Sequence, residues 1–355
     1  MLNPCRRVNR AAALHDDLED CSVKPTVVFN PRVRLILADV DETIADVYTP
    51  AAPRMLVELE ALLTSGVALF LVSGASLARI QQRVVSPLPA HLRRHVLVSH
   101  CSGAEVWGYT ASGQLAAQPF YSAYDTTLDA AAKTRWREVV GQLVNEFSLV
   151  THAPTGVGAF KELVGDDPFA VMLEDRGPQI TLEFVNSYNL TAAQAAALGR
   201  AVPVTNGLRD LRIPVMRRAE QLLQAAGVAV APRLGGIFAL DLALGGVSKT
   251  RSVRYLMDND HVLTSLGLTR PELGRSEHIE IWGDRFDRFH GGTDRHMQEA
   301  VSSGVRAIDF RDEDPSGFLP GYNTVLWDGT HRLHAGLLEY LQSRHHGNRP
   351  RPGCS

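Results

Sequence analysis

The chain has 355 residues, of which 45% are hydrophobic and 21% are charged. This composition is ordinary for a soluble globular protein, and the length suits two domains or one domain with a large insertion. The 36 basic and 39 acidic side chains give a formal net charge of −3. Because that balance provides no overall cationic field, we expect neither nucleic acid nor a membrane as partner, whereas a local patch could still bind a small anion.

The sequence also predicts a cytoplasmic location. Its longest apolar runs are short of the ~20 residues that a membrane helix requires. The first twenty residues are rich in Arg, Asp and Glu and contain no apolar segment of the kind found in a signal peptide. The four cysteines are isolated and fit neither a disulfide framework nor a zinc site: Cys5, Cys21, Cys101 and Cys354.

The predicted elements alternate between strand and helix at both ends of the chain. After a polar extension over residues 1–30, the apolar run 34–39 predicts a buried parallel strand. Alternation continues with helix 53–63, strand 67–72, helix 76–85 and strand 95–98, and it resumes with strand 237–242, helix 249–257, strand 278–282, helix 293–303, strand 305–310 and a closing helix from 330. This order is typical of a Rossmann-like, doubly wound parallel sheet.

The pattern between residues 105 and 238 is different and predicts an α+β insertion. It contains a hairpin over 107–120, a long amphipathic helix over 126–147, a one-sided strand over 179–185 and helices over 191–200 and 214–226. We therefore expect a core domain of residues 31–104 and 239–345, an inserted domain of 105–238 and a disordered tail of 346–355.

Two carboxylates, Asp39 and Asp41, follow the first predicted strand. Ligands of open α/β sheets bind outside the carboxyl ends of the strands, so both side chains are expected in a crevice. One carboxylate can attack phosphorus, and the other can protonate the leaving oxygen and later deprotonate water. The alternative is a plain acidic turn, because short motifs match by chance.

Two further segments strengthen the hypothesis of phosphate chemistry. Ser73-Gly74 ends the second predicted strand and offers a hydroxyl and backbone N–H groups to a phosphate, although this is also ordinary turn chemistry. Lys249 can balance the charge of a transferring phosphoryl group. Its segment is not a phosphate-binding P-loop, because Ala243 and Ser248 stand where that motif requires glycine.

A last acidic group follows the predicted strand 278–282. Mg²⁺ prefers oxygen ligands, and Asp284, Asp39 and the backbone carbonyl of Asp41 could supply them. Asp287 and Asp294 are alternatives for a supporting acidic role, and the residues leave that choice open.

Taken in order, these segments resemble the four motifs of the haloacid dehalogenase (HAD) superfamily. The resemblance covers about residues 33–312, and each motif ends a predicted core strand. The insertion is similar to the large type-two α+β cap. Within the superfamily the chain resembles the phosphomannomutase, sucrose-phosphate phosphatase and Cof-type group: residues 174–181 are similar to a cap strand of its sugar-phosphate members, and residues 283–294 resemble the fourth motif of phosphomannomutases. The residues that carry the motifs are Asp39, Asp41, Thr43, Ser73, Lys249, Asp284 and Asp294.

The resemblance implies an Mg²⁺-dependent phosphatase that acts on a phosphorylated sugar or sugar-like alcohol through an aspartyl-phosphate. Asp39 would be the nucleophile and Asp41 the general acid and base. The implied phosphate-binding residues are Thr43, Ser73, Gly74 and Lys249, and the implied metal site comprises Asp39, Asp41, Asp284 and Asp294. Two positions depart from the family pattern: Glu42 replaces a glycine and Thr293 replaces an asparagine.

The cap determines the substrate in this family, and its residues carry the weakest signal here. Candidates for substrate contacts are Lys161, Glu174, Arg176 and Asn186, although each could equally be a solvated surface side chain. A phosphosugar mutase is the alternative activity, and a catalytically silent sugar-phosphate-binding protein is a third hypothesis. A homodimer is compatible with the sequence.

Overall fold

The computed structural model describes residues 26–289, 291–311 and 314–345, so most of the predicted extension and the whole predicted tail lie outside it. The strands are β1 (Leu35–Ala38), β2 (Ala68–Val72), β3 (Val96–His100), β4 (Glu105–Trp107), β5 (Tyr121–Ser122), β6 (Val150–His152), β7 (Ala170–Asp175), β8 (Gln179–Glu183), β9 (Val204–Thr205), β10 (Leu208–Arg209), β11 (Val230–Gly235), β12 (Ala239–Leu244), β13 (Ile279–Gly283), β14 (Arg306–Asp309) and β15 (Thr324–Leu326). The α-helices are α1 (Pro53–Thr64), α2 (Leu77–Ile80), α3 (Ala123–Thr127), α4 (Ala130–Glu146), α5 (Val157–Val164), α6 (Ala192–Ala197), α7 (Arg212–Ala225), α8 (Lys249–Asp258), α9 (Asp260–Ser265), α10 (Arg270–Leu273), α11 (Arg295–Gln298) and α12 (Leu333–Ser343).

Eight strands form the core sheet in the order β15-β14-β13-β1-β2-β3-β4-β5. The first six run parallel to one another, whereas β4 and β5 extend the edge in antiparallel pairing. All four residues of β1 are buried, which explains its continuous apolar run: a central parallel strand is covered on both faces. The structure confirms the predicted wound parallel sheet.

Alternate residues of β1 pack into two different hydrophobic clusters. Ile36 and Ala38 lie with the buried faces of α1 and α12, whereas Leu35 and Leu37 lie with those of α8 and α9. Successive side chains of a strand point to opposite faces, so helices cover both sides of the sheet. This covering leaves the carboxyl ends of the strands as the open edge.

A second sheet has the order β11-β12-β8-β7-β6. Its apolar face, which includes Ile180 and Leu242, packs against buried residues of α4 and α7 such as Trp136 and Val215. The opposite face carries polar side chains. Because one face is buried and the other is not, β8 shows the alternating pattern that the sequence analysis recognised.

The two sheets divide the chain differently from the predicted domain boundaries. The strand predicted over 237–242 was assigned to the core, but β12 pairs antiparallel with β8 and β11 in the second sheet. Conversely, β4 and β5 were assigned to the insertion and belong to the core sheet. An apolar run predicts that a strand is buried but not which sheet buries it. The chain leaves the core sheet after β5 and returns to it after β12; we call the part between them the cap.

Some predicted helices are shorter or differently wound. The helix predicted over 76–85 comprises α2 and a π-helical turn, Gln81–Val85, and that predicted over 293–303 reduces to α11. Across the described part of the chain, no helix combines the length and apolar character needed to cross a bilayer.

Candidate active site

Polar side chains gather where the three central strands of the core sheet end. Asp39 directly follows β1, Ser73 follows β2 and Asp284 follows β13. Because β1 pairs in parallel with both β2 and β13, the three residues share one edge of the sheet. This is the crevice that the strand pattern predicts.

Lys249 lies at the centre of this crevice. It is the first residue of α8 and is buried, and its Nζ donates to Oδ1 of Asp39 at 2.5 Å and to Oδ1 of Asp294 at 2.7 Å. A buried ammonium group is tolerated only when it is paired. The two carboxylates therefore fix the lysine beside the predicted nucleophile.

Asp294 supports this arrangement with both of its carboxylate oxygens. While Oδ1 accepts from Lys249, Oδ2 accepts from the backbone N–H groups of Asp284 and Arg285, both at 3.0 Å. The close approach depends on Gly283, since a Cβ there would lie 2.5 Å from Oδ2 of Asp294. Asp287 instead accepts from the N–H of Phe289 at 2.7 Å.

Asp39, Asp284 and Asp294 each place a carboxylate oxygen within 4.8 Å of the others, so the structure brings Asp294 rather than Asp287 into the acidic cluster. One oxygen of Asp284 also pairs with the guanidinium of Arg311, whose Nε donates to the Asp284 carbonyl at 3.0 Å. Arg311 was missed by the sequence analysis. The one sequence feature that could have indicated Arg311 is its position just beyond β14, the strand that pairs with β13.

Burial raises the pKa of Asp39 well above its ordinary value, although Lys249 acts in the opposite direction. Burial, together with the charge of Asp294, also raises the pKa of Asp284 to about 6. For Lys249, burial alone would lower the pKa, but Asp294 and Asp39 outweigh it and raise the pKa above its usual range. Burial and the neighbouring carboxylates thus disfavour the ionised forms of Asp39 and Asp284. Carboxylates in that condition suit a hard cation, which favours their ionised form.

Asp41 lies outside the acidic cluster. Its Oδ1 accepts from Nη1 of Arg83 at 2.6 Å, and its Oδ2 accepts from the hydroxyl of Ser73 at 3.1 Å. The side chain of Asp41 is therefore not among the grouped carboxylates, and a metal contact through its backbone carbonyl stays a prediction. Arg83 was also missed, because nothing in its helical segment indicates that the turn after β1 folds over it.

The remaining predicted phosphate-binding residues lie around the same edge. Ser73 is fully buried, and its Oγ also accepts from the N–H of Ala75 at 3.0 Å. The hydroxyl of Thr43 is buried and has no hydrogen-bond partner among the residues that the structure describes. The carbonyl of Gly74 accepts from Nη1 of Arg176, a cap residue, at 3.1 Å.

The four predicted substrate residues of the cap have different surroundings. Arg176 contacts the edge of the crevice, because its Nη1 donates to the carbonyl of Gly74. The Nε of Arg176 donates to the carboxylate of Glu174 at 2.9 Å. Asn186 does not fit a substrate contact: it is buried, and its amide donates to the carbonyls of Gly165 and Asp167. A buried amide that holds a loop in this way has a structural role. Lys161 is exposed on α5 and stays a prediction.

The polar face of the cap sheet forms the roof of the crevice. Glu174, Thr181, Asp241 and Arg233 lie opposite one another across four neighbouring strands. This row approaches the core through Arg233, whose Nη2 donates to the hydroxyl of Ser102 at 3.3 Å. Thr181, Asp241 and Arg233 were not singled out from the sequence, although the alternation in β8 indicates a polar face.

Asp39, Ser73 and Asp284 follow strands of the core sheet and Lys249 begins α8, and the α+β cap lies between the second and third of these motifs in chain order. This is the arrangement that the resemblance to the haloacid dehalogenase superfamily leads us to expect. No protein-family model and no curated protein sequence matches the chain. Among solved structures, the chain is similar to a trehalose-6-phosphate phosphatase related protein, with 14% identity, a TM-score of 0.47 and coverage of 89% of this chain and 100% of that one.

Two other similar structures are a haloacid dehalogenase-like hydrolase from Bacteroides thetaiotaomicron and the C-terminal domain of C. albicans trehalose-6-phosphate phosphatase. The first has 16% identity and a TM-score of 0.49, over 87% of this chain and 98% of that one. The second has 11% identity and a TM-score of 0.49, over 88% of this chain and 92% of that one.

Proposed function

We propose that the protein is a phosphoric monoester hydrolase that transfers the phosphoryl group of its substrate first to Asp39 and then to water. The observation that carries this proposal is the contact between Lys249 and Asp39 beside a buried acidic cluster. A carboxylate nucleophile paired with a fixed ammonium group can approach a phosphoryl group that would otherwise repel it.

The reaction takes two displacements. In the first, an oxygen of Asp39 bonds to phosphorus, the bond from phosphorus to the alcohol oxygen breaks, and protonated Asp41 gives its proton to that oxygen. In the second, Asp41 takes a proton from water, the water oxygen bonds to phosphorus, and the bond to Asp39 breaks. Inorganic phosphate leaves, and Asp41 is again protonated for the next cycle. The hydroxyl of Ser73 donates to Oδ2 of Asp41 at 3.1 Å and would hold this carboxylate in place during both displacements.

Asp39 and Asp284 are the side chains that would hold Mg²⁺, with Asp294 supporting them. A bound Mg²⁺ would supply positive charge that reduces the repulsion between the carboxylate nucleophile and the phosphoryl group. The fit rests on the donor set, which consists of oxygen atoms only, and on the raised pKa of Asp39 and Asp284, which a cation would bring down.

We propose a sugar or a sugar-like alcohol as the phosphorylated substrate. The roof of the crevice offers two carboxylates, a hydroxyl and one guanidinium group in one cross-strand row. Hydroxyl-rich molecules both donate to and accept from such groups. A mutase would need cap cations available for a second phosphate. The buried Arg176 is already engaged by Glu174 and by the carbonyl of Gly74, which favours hydrolysis.

The test is a phosphate-release screen over hexose and disaccharide monophosphates, with Mg²⁺ and with a chelator. We expect release that depends on Mg²⁺, and loss of both release and covalent phosphoenzyme in Asp39→Asn. Asp258→Asn, an exposed position on α8, is the matched control and should retain activity. Isomerisation of the sugar phosphate that depends on a bisphosphate activator would identify a mutase instead, and full activity of Asp39→Asn would refute the mechanism.

A further inference from the structure

A cavity of about 310 Å³ lies between the core and the cap. Its core walls include Tyr48, Arg79 and Arg83, and its cap wall includes Thr155 and Gly156. At about 30 Å³ for each water in the liquid, the volume corresponds to roughly ten waters. That is near the lower end of the range for small-molecule sites, so the cavity suits a compact metabolite rather than a polymer.

The cavity adjoins the general acid and base. Arg83 forms part of its wall and donates to Asp41 from the same guanidinium group. Tyr48 lies close enough to be affected by two carboxylates: burial raises the pKa of its phenol, and the charges of Glu183 and Asp41 add to that increase. The alcohol part of a substrate whose ester oxygen faces Asp41 would therefore extend toward this cavity.

Three polar side chains of the cavity wall have donors or acceptors that are available to a ligand. Among the described residues, the phenol of Tyr48, the amide of Gln82 and the guanidinium of Arg79 make no side-chain hydrogen bond to another protein group. Arg79 approaches Glu174 at 3.4 Å and Glu183 at 3.7 Å as an ion pair only. The contrast is Arg83, where Nε, Nη1 and Nη2 all donate to protein oxygens.

We infer that this cavity binds the alcohol part of the substrate and that Tyr48, Arg79 and Gln82 select a compact, polyhydroxylated alcohol. The inference rests on the proposed phosphatase function and assigns the specificity of that site to core residues. Hydroxyl groups of a bound alcohol can accept from Arg79, Gln82 and the phenol of Tyr48, whereas an alkyl chain would displace water from these groups without replacing its hydrogen bonds. A site of this kind discriminates strongly against an analogue that lacks the hydroxyls.

The experiment compares esters that differ only in their hydroxyl groups. Phosphate release is measured for glucose 6-phosphate, sorbitol 6-phosphate, n-hexyl phosphate, a hexose bisphosphate and an aryl phosphate. The proteins compared are the wild type, Tyr48→Phe, Arg79→Met and Gln82→Met. We expect the wild type to prefer at least one polyol ester over n-hexyl phosphate by roughly 10²-fold or more in kcat/KM. Each variant should reduce that preference by about 5- to 50-fold, mainly through KM. Arg54→Met, an exposed position on α1, is the control and should keep the preference.

Three results would overturn the inference. The first is equal or better hydrolysis of n-hexyl phosphate by the wild type, and the second is an equal loss on all esters in the variants. The third is a strong preference for a hexose bisphosphate over the monophosphate that disappears in Arg79→Met, because Arg79 would then bind an anion. If the wild type hydrolyses neither these esters nor an aryl phosphate, the proposed function fails, which is a different outcome from a phosphatase without this selectivity.

Discussion

Arg83 donates from Nη1 to Oδ1 of Asp41 at 2.6 Å, so a buried guanidinium of the π-helical turn holds the predicted general acid and base. The same side chain donates from Nε to the carbonyl of Thr49 at 2.9 Å and from Nη2 to the carbonyl of Asp46. It thereby connects three points of the turn that follows β1. Local π-helical windings are frequent at functional sites, and here the winding belongs to the segment that presents Arg83.

We expect Arg83→Met to lose both stability and the correct position of Asp41. Removing a buried partner of charged and backbone groups costs roughly 2–4 kcal/mol, to be measured by urea unfolding. The value of kcat should fall by about 10- to 100-fold on an alkyl phosphate. It should fall less on an aryl phosphate, whose leaving group needs little protonation.

The control is Arg94→Met, which removes an arginine from an exposed position on the core domain. A purely structural role for Arg83 would give an equal loss of kcat on both esters. That outcome would contradict a role in positioning Asp41.

Glu42 stands where the resemblance described above leads us to expect glycine, and its φ is 63°. Left-handed backbone costs about 1 kcal/mol for a residue with a Cβ and is readily accessible to glycine. We therefore expect Glu42→Gly to increase the free energy of unfolding by up to about 1 kcal/mol, measured by urea titration. Glu42→Ala removes the charge but keeps the strain. If the alanine variant were stabilised as much as the glycine variant, charge rather than backbone conformation would be responsible.

The crevice could be predicted from the sequence because each motif follows an apolar run. Asp39, Ser73 and Asp284 all come directly after residues that are buried on both faces of the sheet, and the ends of parallel strands share one edge. Lys249 also lies in the crevice, in contact with Asp39, although the strand before it belongs to the cap sheet. Its place depends on the start of α8, not on the strand that precedes it.

The sequence could not predict the contacts that join distant segments. Arg83 and Asp41 are 42 positions apart, and Arg311 and Asp284 are 27 apart. An arginine in a helix or loop is usually exposed, so neither side chain stands out. The assignment of β12 failed for a similar reason: hydrophobicity indicates that a strand is buried, but its partners are set by strand pairing.

Asp284 should make the metal-free protein less stable as the pH rises. Its pKa is about 6 in the folded protein against an ordinary value of 3.8, so the folded state retains a proton that the unfolded chain releases. Stability from this group is fully present below about pH 4 and is lost between about pH 4 and pH 6. In chelator at pH 7, Asp284→Asn should therefore be more stable than the wild type, by on the order of 3 kcal/mol at most.

Urea unfolding at pH 4, 5.5 and 7 checks this expectation. The difference between Asp284→Asn and the wild type should vanish at pH 4, and added Mg²⁺ should stabilise the wild type but not the variant. A variant that is less stable than the wild type at pH 7 in chelator would contradict the expectation. Stabilisation of both proteins by Mg²⁺ would show that the ion binds elsewhere.

Gly103 packs against the backbone at Ser248 and Lys249. Its replacement tests whether this contact holds Lys249 in position. It has a φ of +102°, and a Cβ there would lie 2.2 Å from the carbonyl oxygen of Ser248, the residue before Lys249. Gly66 also has a positive φ, +84°, but nothing lies within 4 Å of its Cβ position. Gly66→Ala therefore measures backbone strain alone, about 1 kcal/mol.

We expect Gly103→Ala to cost more than Gly66→Ala, by roughly 2 kcal/mol or more, because backbone atoms must move to relieve the overlap. The movement displaces Lys249 from Asp39, so phosphate release should fall at least about tenfold in this variant and remain near the wild-type rate in Gly66→Ala. Both quantities are measured on the same preparations, by urea unfolding and by phosphate release. Equal losses of stability, with full activity in both variants, would mean that the segment carrying Lys249 adapts and that the contact at Gly103 does not position the lysine.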